Sequence, residues 1–163
     1  MKHVLLYILA LLFLGIGCSG VDMATYESPV ADAEFYHRMH KKFTDVIVHD
    51  IFSPPVASRN YLYPNVAAFE ILQHTNENYI SLAGQLNGLD AIPPPDTAAK
   101  IDFHLAAIQG FLMTARNFVF SQERIDAFTD EFYSTYKSKI TKAVWRDSEA
   151  YAKEVSDHIM SWA

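Results

Sequence analysis

The stretch VHDIFSPPVASRNYLYPNVAAFE, Val48 to Glu70, decides how this chain folds. Its only acidic or basic residues besides His49 are Asp50, Arg59 and Glu70, yet it holds three prolines and reads as helix at both ends. Ser53 suits an N-cap, and Pro54 suits the first position of a helix. Ser-Pro-Pro therefore marks a joint where one helix stops and the next starts. Backwards from the joint, a helix is expected over Asp32 to Phe52. Phe35, Met39, Phe43, Val46 and Ile47 fall within about 120° of one another at 100° per residue, with Lys41, Lys42 and Asp45 opposite. Forwards, a second helix is expected over Pro54 to His74. It is apolar around most of its circumference and so belongs in the centre of the fold. Pro64 inside it predicts a kink or a break, because proline lacks the N–H and crowds the preceding turn.

The rest of the chain continues in helices. Gly84, Gly88 and Pro93 to Pro95 punctuate a long connection. Asp96 or Thr97 is expected to cap a third helix, Ala98 to Phe120. Ser121 is expected to cap a fourth, Gln122 to Val144, with the stripe Ile125, Phe128, Phe132, Tyr136 and Ile140. Asp147 opens a fifth, with Tyr151, Val155, Ile159 and Trp162 on one face. No stretch alternates apolar and polar residues long enough for a strand. The fold class is all-α, a bundle of about five helices. The last stripe runs to Trp162 and the chain stops at Ala163 with no Gly, Asn or Pro signal, which suggests a bundle cut short within a larger fold.

At 163 residues the chain suffices for one domain with a sizeable core. Its net charge of −6 argues against nucleic acid as a partner, since phosphate binding needs a basic surface. No polybasic run points to anionic lipid. At the start, Lys2 and His3 precede the apolar run Val4 to Ile16, followed by Gly17 and Cys18. This is the pattern of a secretory signal, too short to span a bilayer comfortably. LGIGCSG resembles a bacterial lipoprotein signal, which implies lipidation at Cys18 and a periplasmic or outer-membrane location. Gly15 stands where that signal usually has Leu; simple secretion is the alternative. Cys18 is the only cysteine, so no intrachain disulfide exists. The expected organisation is a signal over 1–18, a tether over 19–30 and a helical domain over 31–163.

Candidate chemistry is sparse. His37 and His40 are three apart, but no carboxylate at matching spacing completes a metal site, and they read as solvated. Glu70 and His74 share a face without the paired Glu-x-x-His arrangement of bundle metal sites. His104 reads as a core histidine. Signatures of serine hydrolases, zinc proteases, phosphate loops and dinucleotide folds are absent from the sequence. Asp50 falls at about 60° from Phe35 on the wheel, inside the apolar stripe, where a free charge is costly. It is expected to accept from free N–H groups of the second helix or to pair with Arg59. Asp50, Arg59 and Glu70 read as buried structural polar groups. No catalytic, cofactor-binding or metal-binding residue is assigned.

With the joint quoted, VIVHDIFSPPVASRNYLYPNVAAFE followed by YISLAGQLNGL resembles the N-terminal half of bacterial, mainly Bacteroidetes-type, vanadium-dependent haloperoxidase-like proteins of the type-2 phosphatidic acid phosphatase superfamily. The resemblance covers about residues 30–163 and is most specific from Val46 to Glu70. It implies packed helical bundles and an oxyanion site for vanadate or phosphate. That site uses Lys-x6-Arg-Pro, Ser-Gly-His and Arg-x5-His segments in the C-terminal half, where cations and donors hold the anion. Here no Arg precedes Pro, and Ser19–Gly20 is followed by Val21. Six residues after Arg38, Arg59, Arg116, Arg124 and Arg146 stand Thr44, Asn65, Gln122, Asp130 and Ala152. No site residue carries over, and no cofactor is expected in this chain alone. The resemblance implies a non-catalytic helical half of an envelope protein. Alternatives are a split enzyme completed by a C-terminal catalytic partner chain, and a stand-alone envelope binding module.

Overall fold

The computed structural model describes residues 21–163, so the expected signal segment and Cys18 lie outside the described residues. Among the described residues there are five α-helices, one short 3-10 turn and no strand. They are α1 (Ala33–His49), α2 (Pro54–Leu72), α3 (Phe103–Arg116), α4 (Gln122–Tyr136) and α5 (Lys142–Trp162), with the 3-10 turn at Gln73–Thr75. The all-α expectation stands. No helix among these residues is long and apolar enough to cross a membrane.

Helix α3 is the centre. Every residue from Leu105 to Leu112 is buried, and the helix packs most extensively against α2 and α5. Gly110 permits this closeness: a Cβ there would stand 2.7 Å from Ile71 Cδ1 and 3.7 Å from the Ala152 carbonyl oxygen. Helix α1 lies over this core through the stripe read from the sequence, Phe35, Met39, Phe43, Val46 and Ile47, all buried. Phe43 meets Phe111 edge-on at 5.5 Å, and Phe35 packs on Phe132 of α4 at 5.1 Å. Truncating a buried aromatic of this kind to alanine typically costs about 3–5 kcal/mol. Val30 is also part of the core, and Met23 and Tyr26 pack against it, so the segment expected to be a tether is docked over these residues.

The boundaries differ from the sequence reading for identifiable reasons. Helix α2 runs unbroken through Pro64. At that turn Asn65 Nδ2 donates to the Tyr61 carbonyl at 2.8 Å, so a side-chain donor serves the backbone beside the proline. Helix α3 starts at Phe103 rather than Ala98. The Lys100 N–H donates to Asp147 Oδ2 and the Asp102 N–H to Ser148 Oγ, so α5 side chains hold this segment extended. Asp96 caps only a short turn, accepting from the Ala98 N–H. Helix α4 stops at Tyr136, not Val144, while Ile140 keeps the apolar spacing from a turn. Thr141, not Asp147, caps α5.

Candidate functional site

The charged residues of the Val48–Glu70 stretch part company in the fold. Asp50 is the C-cap of α1, partly exposed rather than buried. Its Oδ2 accepts from the Phe120 N–H at 2.7 Å and the Ser121 N–H at 3.0 Å, and its Oδ1 from the Ser121 hydroxyl at 2.5 Å. The carboxylate thus caps α4, not α2, and does not pair with Arg59. The physical reason lies in the prolines: Pro54 and Pro55 open α2 and have no N–H to offer. Burial opposes ionisation of Asp50, but the Ser121 hydroxyl and the two N–H groups outweigh it and hold its carboxyl below the ordinary range.

Arg59 is exposed, which corrects its expected burial. Its guanidinium donates to the Tyr63 hydroxyl at 2.9 Å and lies over the Tyr63 ring. The buried polar residue of that turn is its neighbour Asn60, which donates to the Phe118 carbonyl at 2.8 Å. Glu70 is fully buried. It accepts from the Leu82 N–H at 2.6 Å on one oxygen, and from the Ser81 hydroxyl and Gln73 amide, both at 2.7 Å, on the other. Three neutral donors, not a cation, satisfy this carboxylate, and they tie the connection after the 3-10 turn to α2. His74 does not form an ion pair with Glu70; its Nε2 lies 3.0 Å from the Tyr151 hydroxyl.

Two further carboxylates do comparable work: Asp102, not singled out from the sequence, and Asp147, read there only as the start of the fifth helix. Asp102 is buried and caps α3, with Oδ1 accepting from the His104 and Leu105 N–H groups and Oδ2 from the Tyr26 hydroxyl at 3.1 Å. Asp147 Oδ2 accepts from the Lys100 N–H at 2.9 Å. That bond, helped by Arg146 against the effect of burial, holds the Asp147 carboxyl low. The sequence signal for Asp102 was available: Asp immediately before the first residue of an apolar run, here Phe103, is an N-cap pattern.

Beside these joints a groove of about 330 Å³ opens between the start of α1, Thr75, Tyr79 and His104. A second, of about 430 Å³, shares Ala31, Thr75 and His104 with it and reaches Tyr26 and Asp102. His104 is part-exposed, its side chain 41% accessible, and lines both grooves rather than sitting in the core. His37 borders the first, exposed and 4.0 Å from Glu34.

An oxyanion cage would need several cations converging on one point. Here Arg116 is held by Asp126, Arg146 by Asp147, Arg59 by Tyr63, and Arg38 lies over Phe35. These partners sit on different elements, so these four arginines do not converge on one point. Nor, among them, do three or more His, Cys, Asp or Glu side chains gather as a metal site.

The helix order and the joint place this chain in relation to the vanadium haloperoxidase-like proteins, as the resemblance implied. That relationship is carried by the crystal structure of the first bacterial vanadium-dependent iodoperoxidase, which is 44% identical and matches 84% of this chain at a TM-score of 0.78. The match covers 33% of that protein, so this chain spans about a third of its solved relative. No family model and no curated protein matches the chain.

Proposed function

We propose that these residues form a non-catalytic helical scaffold section of a vanadium haloperoxidase-like protein, whose oxyanion site is built from chain without counterpart here. One observation carries this reading: Asp50 and Glu70, the two carboxylates of the Val48–Glu70 stretch, are each occupied by three donors that join separate elements. A general acid or base needs a free face toward substrate, and neither residue has one to spare. A C-terminal catalytic partner, on the same polypeptide or another, completes the site in this proposal. Export and attachment to the envelope through a lipid at Cys18 belong to the same reading, on the strength of the lipoprotein-like LGIGCSG segment.

The test is direct. The purified chain is mixed with orthovanadate, iodide and hydrogen peroxide, and triiodide absorbance is followed. No oxidation above the protein-free rate is expected, and no protein-dependent broadening of the vanadate signal in vanadium-51 NMR. Iodide oxidation that depends on both chain and vanadate would overturn the scaffold reading.

A further inference from the structure

Helix α1 ends on a motif that ordinarily calls for glycine. The Ile51 N–H returns to the Val48 carbonyl at 3.2 Å, and the Phe52 N–H to the Ile47 carbonyl at 3.4 Å. These are the paired bonds of a Schellman end, whose residue past the C-cap takes the left-handed backbone conformation. Ile51 takes it, with φ of +56°, and among the described residues no other non-glycine has a positive φ. A β-branched side chain is disfavoured in that conformation. Ile51 is also 88% exposed, so its side chain gains almost no burial in return.

Its surroundings repeat the anomaly. Phe120 is 78% exposed, although its N–H is held by Asp50 and its ring stacks on Phe52 at 4.8 Å. Val48, 69% exposed, and Val56, 45% exposed, flank the same joint. Large apolar side chains gathered at one corner differ from the scattered single ones of an ordinary surface. Asp50, the only carboxylate between Val48 and Val56, is engaged with Phe120 and Ser121. An apolar partner covering residues 48–56 would therefore desolvate no unpaired carboxylate.

We infer that Ile51, Phe120, Val48 and Val56 form a docking surface for an apolar helical face from the part of a haloperoxidase-like protein that this chain does not match. The inference rests on the scaffold reading above. Its solved relative carries about two thirds of its length beyond the matched part, since the match covers 33% of it. That remainder has to pack against the matched third somewhere. The corner offers apolar area, held rigid by the Asp50 cap, and a residue kept in a disfavoured conformation that points it into solvent.

The experiment co-expresses the full chain with the unmatched part of the iodoperoxidase as a separate polypeptide. A complex is expected, in which backbone amides of residues 48–56 and 118–121 exchange hydrogen at least tenfold more slowly than in the chain alone. Ile51→Asp and Phe120→Ser are expected to weaken the complex at least tenfold. Ile51→Gly, which suits the left-handed position and keeps the fold, is expected to weaken it as well. A complex with no slowing at these residues and unchanged affinity in all three variants would overturn the docking surface while leaving the scaffold reading intact. No complex at all would overturn the inference, and the vanadate assay then judges the scaffold reading separately. A concentration-dependent dimer of the chain alone, abolished by Ile51→Asp, would overturn it in favour of self-association.

Discussion

Asp50 caps the helix that Ser121 begins, across 71 residues of sequence. Ser121 is the N-cap of α4 by position, but its hydroxyl makes no cap bond of its own and donates to Asp50 instead. A carboxylate at the far end of α1 thus serves the N–H of the N-cap residue and of the residue before it. Asp50→Ala removes it and leaves two N–H groups and a hydroxyl without their partner. A loss of about 2–3 kcal/mol is expected, more than a single cap is worth, because three bonds go at once. Ser121→Ala removes one bond and should cost about 1 kcal/mol. Urea denaturation of both variants and of the double variant checks this, and strict additivity would show that the pair is not coupled.

The same cap predicts how stability falls in acid. Asp50 and Asp147 both have carboxyl groups held below the ordinary aspartate value in the folded chain. A group with a lowered folded pKa stabilises the fold above its unfolded value, about 3.9, and loses that contribution as pH falls through the folded value. The melting temperature should therefore change little through these groups between neutrality and about pH 5, and fall below about pH 4. In Asp50→Asn the acid slope should be shallower, because one of the two groups no longer titrates. Melting curves by circular dichroism across pH 2.5–7 measure both slopes. An unchanged slope in the variant would mean that Asp50 is not held low.

Ile51 yields a prediction of opposite sign. Its left-handed conformation costs roughly 1–2 kcal/mol for a side chain with a Cβ, and at 88% exposure it has little packing to lose. Glycine removes that strain but adds freedom to the unfolded chain, an offset of roughly 0.5–1 kcal/mol. Ile51→Gly should stabilise the chain alone by about 0.5–1 kcal/mol, read as a higher urea midpoint at unchanged slope. A lower midpoint would show that the Ile51 side chain makes contacts that the fold depends on.

The sequence carried the helices well where the signal was local. The stripe from Phe35 to Ile47 is buried as its spacing required. The failures are long-range. Asp50 lies on the apolar stripe, but nothing within its own helix names a partner 71 residues on; only the prolines, by removing donors from α2, argued against the nearer choice. Arg59 sits on a largely buried helix, yet faces solvent along the Tyr63 ring. Ile140 preserved the period of α4 from within a turn, which hid the end of one helix and the start of the next. The start of α3 was displaced by Asp147 and Ser148, residues on another helix that take the backbone donors of Lys100 and Asp102. Such competition leaves no periodic trace.

Glu70 provides the last prediction, because it holds a connection rather than a helix. Its carboxylate is fully buried, and its partners Ser81 and Leu82 lie in the segment between the 3-10 turn and α3. Glu70→Ala leaves three buried or half-buried donors unsatisfied and opens a small void. A cost of about 3 kcal/mol is expected from the unmade hydrogen bonds to a charged acceptor, before any packing loss. Glu70→Gln should fall between: its amide oxygen still accepts on one side, while its NH2 group confronts a donor on the other, either the Leu82 N–H or the Ser81–Gln73 pair. The effect should also be local. Amide exchange should quicken most at residues 79–89, and limited proteolysis should cut within that segment before it touches α3, to which Glu70 makes no hydrogen bond. If both variants melted with α3 and residues 79–89 losing protection together, the connection would be held by Leu89 in the core rather than by the carboxylate.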